Sequence, residues 1–278
     1  MIPGNCERSG SSVHTLSYMV VEHSPLAENE SARNILNSEE GGMDGAKEMH
    51  LSLTLEPTTG WRQSKWLAIV ELAIVALIFV ADAHHMIYVS KTPYLLLLGW
   101  ISLRLRKLRW RDVGFTRNRS WLITIAVGVG SGVILEMIEL FFTQPFLTRL
   151  TEKPPDLEDF RILTGNIKYT LAAIALSWTL AAFGEELVWR GYVMNRVADL
   201  GNRTRVAWFC SLVVVHAAFG LAHSYQGLTG IIQEGFSGFL LGLIYLRSGK
   251  NLSVPIIAHG VSDTLDVVLI FMGKFPGL

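Results

Sequence analysis

Seven predominantly apolar stretches, roughly 66–83, 86–103, 121–142, 168–190, 206–226, 228–247 and 252–272, govern what this chain can become. Each is close to the ~20 residues that a helix needs to cross the hydrocarbon core of a bilayer. A spanning segment must satisfy its own backbone hydrogen bonds, and a helix does so within one stretch of chain. The pattern predicts an all-α, polytopic transmembrane helix bundle of about seven spans, with six to eight as the range. The second stretch is the weakest, because Lys91 and Pro93 interrupt it.

Composition agrees. Half of the residues are hydrophobic and only 17% are charged, with a mean hydropathy of +0.35, as in multi-pass integral membrane proteins. The lipid bilayer is thus one expected partner. A formal net charge of zero offers no basic footprint for a nucleic acid. Cys6 and Cys210 stand far apart and fit neither a disulfide framework nor a cysteine zinc site.

Three regions follow. Residues 1–64 read as a disordered, acidic cytoplasmic tail: residues 1–60 hold nine carboxylates against Arg8, Arg33 and Lys47, with no sustained apolar period. Residues 65–164 read as N-terminal transmembrane helices, and 165–278 as the core that carries the chemistry.

Orientation follows from lysine and arginine, which favour cytoplasmic loops. Arg104, Arg106, Lys107, Arg109, Arg111, Arg117 and Arg119 mark one such loop. Arg190, Arg196, Arg203 and Arg205 mark a second connection, and Arg247 with Lys250 a third turn. The long connection 143–167 balances its basic residues with Glu152, Asp156, Glu158 and Asp159, and is expected to face outward. The N-terminus is then cytoplasmic, in the plasma (inner) membrane if the source is bacterial.

Polar residues inside the spans point to function, because ionisable groups are costly in a bilayer. In AAFGEELVWRGYV, residues 181–193, Glu186 and Arg190 are four apart, so a helix stacks them as an ion pair, one that could also anchor a neighbouring backbone. Glu185 is left without a local partner and faces elsewhere. The next span holds Phe219 and His223 on one face, with His216 further back, and the last holds His259 and Asp263 at the same spacing. Glu185 and His223 each lie 19 residues from Thr204, so straight helices bring them level in a hairpin. Matching the depth of His259 requires the 190–210 hairpin to project into the cytoplasm, which would put the site in the cytoplasmic half of the membrane. His216 and Glu234 read as hydrogen bonders of the bundle interior, and Asp266 as a weaker site candidate.

A carboxylate with an imidazole can polarise water, and a second imidazole can donate to the oxyanion formed on attack at a peptide carbonyl. A divalent metal such as Zn2+ could use the same groups, Glu185, His223, His259 and Asp263, as ligands. Spacing alone leaves both versions open.

These residues resemble the three motifs of the CPBP family, which comprises type II CaaX prenyl endopeptidases and bacteriocin-processing or immunity (Abi) membrane proteins. EExxxR is matched by Glu185-Glu186-Leu187-Val188-Trp189-Arg190, FxxxH by Phe219 to His223, and HxxxN/D by His259 to Asp263. The flanking text IYLRSGKNLSVPIIAH, residues 244–259, is also family-like, and the resemblance covers about 165–272. It implies an all-helical membrane fold with a cavity open to the cytoplasm. It also implies an endopeptidase, a hydrolase acting on a peptide or protein at the membrane, in some relatives a lipidated one. By that resemblance Glu185 is the general base, His223 holds the water, and His259 with residue 263 stabilises the oxyanion. Glu186, Arg190 and Phe219 support them. Asp263 departs from the asparagine of the best-known members, and an ionised aspartate cannot donate to an oxyanion. It can orient His259, act when protonated, or ligate a metal.

Two other classes fit less of the sequence. A non-proteolytic immunity or partner protein of the same family would not need every motif position. A proton-coupled transporter usually shows two matching halves, whereas here the polar residues gather in the C-terminal half.

Overall fold

A computed structural model describes residues 60–87 and 90–278. Residues 1–59, most of the expected acidic tail, lie outside the described residues. Every regular element among those described is helical. Seven helices follow in order: α1 Lys65–Ala83, α2 Thr92–Leu105, α3 Trp121–Thr151, α4 Ile167–Leu200, α5 Arg205–Leu221, α6 Gly227–Arg247 and α7 Ser253–Phe271. Five stretches are long and apolar enough to cross a membrane: α1, α3, α4, α6 with its leading turn, and α7. Helices α2 and α5 are apolar but shorter. A bundle of about seven spans is consistent with this.

Local sequence sets the starts. Ser64, Ser120, Asn166 and Thr204 each place a side-chain oxygen on a backbone N–H of the first turn, meeting donors that the helix cannot pair itself. Helix α2 begins at Thr92 with Pro93 in its first turn, where a missing N–H costs nothing. The expected second span, 86–103, is therefore shorter at its front and runs on to Leu105. Helices α3 and α4 outrun their expected ends at 142 and 190. Both contain stretches wound with i→i+5 hydrogen bonds, Glu139–Thr143 and Ser177–Val193. Such winding is rare and concentrates at functional sites.

The bundle is apolar outside and polar within. Leu122, Trp66, Val206, Leu77 and Leu221 are exposed on its surface. Glu71, Glu136, Glu186, Arg190, Arg196, His216 and Gln233 are buried. A water-soluble fold avoids this arrangement; a lipid-facing surface requires it. The chain is a multi-pass integral membrane protein. Glu71 of α1 takes two hydrogen bonds from Arg106 Nε and Nη2 (both at 3.1 Å) and one from Ser102 at 2.9 Å. This satisfied network ties α1 to α2.

Helix α7 makes its most extensive contact with α3, at Gly128 and Gly132. A Cβ on Gly128 would stand 2.6 Å from the Ile257 Cβ, and one on Gly132 would stand 2.5 Å from the Ala258 carbonyl oxygen. The glycines let the two backbones meet, as small residues do in membranes. Gly130, between them, faces open space. Gly132→Leu is expected to lower stability by about 1–3 kcal/mol, the usual cost of overpacking, read as a lower unfolding temperature in detergent. Gly130→Leu is expected to leave it unchanged.

Hydrogen bonds between connections define two ends. At one, Arg62 bonds the Leu105 carbonyl, Leu252 N–H bonds the Gly114 carbonyl, and Asn251 bonds Asn118. At the other, Lys91 Nζ bonds the Ala222 carbonyl, Asp156 N–H the Gln226 carbonyl, and Gly165 N–H the Phe271 carbonyl.

Candidate active site

Glu185, Phe219, His223, His259 and Asp263 line one cavity of about 350 Å³. Four local origins bring them there. Glu185 comes from the widened part of α4, Phe219 from the last turn of α5, and His259 with Asp263 from successive turns of α7. His223 was expected within a span, but it sits just past α5, in the connection to α6. Its Nδ1 is 2.9 Å from the Phe219 carbonyl oxygen. A carbonyl only accepts, so Nδ1 carries the hydrogen and Nε2 of the neutral ring is an acceptor.

Glu186 and Arg190 stand behind the cavity, both fully buried. Arg190 Nη1 donates to Glu186 Oε1 at 2.7 Å, and Nη2 donates to the Gly238 carbonyl of α6 at 2.8 Å. The i,i+4 pair and the backbone anchor are both present. A third contact was not foreseen: His259 Nδ1 lies 2.9 Å from the same Glu186 Oε1. One carboxylate thus joins α4 to α7 and, through Arg190, to α6. His259 Nε2 is 3.4 Å from Asp263 Oδ1, beyond the usual hydrogen-bond distance, so that side of the ring is only loosely held. Phe219 packs between Arg190, whose guanidinium lies 5.1 Å from its ring centre, and the His223 ring at 4.7 Å. That gives the motif phenylalanine a physical role.

Other residues complete the cavity. Glu139, Glu234 and Asp266 line it with Glu185 and Asp263, and no lysine or arginine does. Glu234 therefore faces the cavity, where an interior hydrogen bonder had been expected. His216 is an interior residue: it is buried, and its Nδ1 contacts the Leu212 carbonyl. Glu139 and Gln233, joined at 2.7 Å, carried no motif signal. Their only trace was polarity at the ends of apolar stretches. Lys91, read as an interruption of a span, pairs with Asp82 at 2.9 Å and bonds the Ala222 carbonyl at 3.2 Å. It fixes the residue next to His223.

The depth argument needs correction. Arg190 and Arg196 do not belong to a projecting hairpin, since both are buried in the bundle, and Arg196 pairs with Asp199 at 3.1 Å. The condition for a site near the 201–204 turn is not met. The cavity lies at the opposite end, where Ser90, Leu157, Tyr225 and Phe275 rim it.

A divalent metal fits this donor set poorly as arranged. Among the described residues, no three His, Cys, Asp or Glu side chains converge as a ligand group. His259 Nδ1 is engaged by Glu186, and His223 Nδ1 by a carbonyl.

Fold and site together define a polytopic membrane protein with a carboxylate and two histidines around a buried cavity. Residues 167–265 match the family model described as Type II CAAX prenyl endopeptidase Rce1-like. That helical core belongs to the CPBP family, the family of the three motifs. No curated protein and no solved structure matches the chain.

Proposed function

We propose that this chain is an intramembrane endopeptidase that hydrolyses a peptide bond with a water activated by Glu185 and His223. The observation that supports it most is the meeting of Glu185, His223 and His259 at one cavity from three separate helical segments. Glu185 accepts a proton from water as its oxygen bonds to the carbonyl carbon. His223 Nε2 orients that water. The oxyanion forms beside His259, whose Nε2–H is free to turn from Asp263, since Glu186 holds the other side of the ring. When the C–N bond breaks, Glu185 returns its proton to the leaving nitrogen. Atoms and charge balance with water as the only co-reactant.

Asp263 is assigned as a positioning residue for His259. Asp263→Asn keeps a group able to bond Nε2 and is expected to retain cleavage, whereas Asp263→Ala lowers kcat and leaves KM nearly unchanged. Because no metal enters these steps, cleavage by the reconstituted protein is expected to survive a chelator. Loss of activity with chelator, restored by zinc, would replace the water-activation scheme. Substrates of CaaX or leader-peptide type are within the class proposed, with a prenyl group on the substrate as a separate question for the same assay.

A further inference from the structure

Two expectations drawn from the sequence cannot both hold. Lysine and arginine placement puts the basic connections in the cytoplasm, while family resemblance puts the cavity mouth there too. The fold separates them. All connections at one end contribute to the cavity wall: Ser90 between α1 and α2, Leu157 and Phe160 between α3 and α4, His223 and Tyr225 between α5 and α6, and Phe275 after α7. No residue of the connections 106–120, 201–204 or 248–252 lines it.

Charge distinguishes the ends. The connection after α2 carries Lys107, Arg109, Arg111, Arg117 and Arg119 against the single acid Asp112. Arg203, Arg205, Arg247 and Lys250 lie at the same end. The connection after α3 holds Glu152, Asp156, Glu158 and Asp159 against Lys153 and Arg161. Short loops retained in the cytoplasm carry the excess of lysine and arginine, and acidic residues contribute little to that bias. Counting only cations within reach of the spans still leaves the excess at the end away from the cavity.

We infer that the cavity opens on the non-cytoplasmic face of the membrane, with residue 60 on the cytoplasmic face. Given the endopeptidase reading, on which this rests, the substrate is a peptide segment presented outside the cytoplasm. A polypeptide terminus or loop already carried across the membrane meets that condition. A soluble cytoplasmic tail does not.

Single cysteines test the side without using catalysis. In a Cys6→Ser, Cys210→Ser background, Glu158→Cys and Tyr225→Cys report the cavity end, and Arg111→Cys reports the other; all three native side chains are exposed. Right-side-out vesicles of the expressing bacterium are treated with a membrane-impermeant maleimide. The expected result is labelling at 158 and 225 in sealed vesicles, and at 111 only after permeabilisation. Labelling at 111 alone in sealed vesicles overturns the inference, as does equal labelling at both ends. Whichever way it falls, the peptidase reading stands or falls separately on Glu185→Gln.

Discussion

Glu185→Gln is expected to lower peptide cleavage by about 10²–10⁴-fold, the usual contribution of a positioned general base, while leaving yield and unfolding temperature unchanged. Glutamine keeps the size of the side chain and removes its ability to take a proton. Among the described residues, no hydrogen bond or ion pair holds Glu185, and it is only half-buried at the cavity wall. Its replacement therefore breaks no structural network. Steady-state cleavage measured beside thermal unfolding of the same preparation separates the two effects. A variant with full activity would move the base to another cavity carboxylate, with Asp263 the nearest to His259.

The adjacent residue is expected to behave in the opposite way. Glu186→Ala should destabilise the protein by about 3–5 kcal/mol, because removing one partner of a buried ion pair strands the other. Two cationic or hydrogen-bonding groups lose their acceptor at once, Arg190 on α4 and His259 on α7. The expected readout is a large fall in unfolding temperature and in monodisperse yield, with activity lost as a consequence. Two neighbouring glutamates, one replaceable structurally and one not, form a sharp contrast. An unfolding temperature for Glu186→Ala equal to that of the unaltered protein would mean that the three-helix junction contributes little.

What could be read in advance was local. Glu186 with Arg190, Phe219 with His223, and His259 with Asp263 are i,i+4 pairs, and helical stacking carries such pairs from sequence to structure directly. The apolar periods and caps likewise placed the seven helices. What escaped the reading depends on which faces meet. Glu186 and His259 are 73 residues apart, and no spacing rule connects them. The i→i+5 winding of Ser177–Val193 has no compositional mark. Charges next to an apolar stretch look alike whether they flank a loop or are buried, so Arg190 and Arg196 were counted as loop cations although both are interior. Lys91 looked like a break in a span and serves as a tie between two connections. The end of the bundle that holds the cavity followed only from contacts between connections.

The most direct test compares membranes that express the unaltered chain with membranes that express Glu185→Gln at equal level, reading peptide termini by mass spectrometry. The account predicts a defined set of new termini, from membrane-associated polypeptides, present with the unaltered chain and absent with the variant. Identical sets of termini, with both proteins folded and abundant, would contradict it and leave a non-proteolytic role for the same fold.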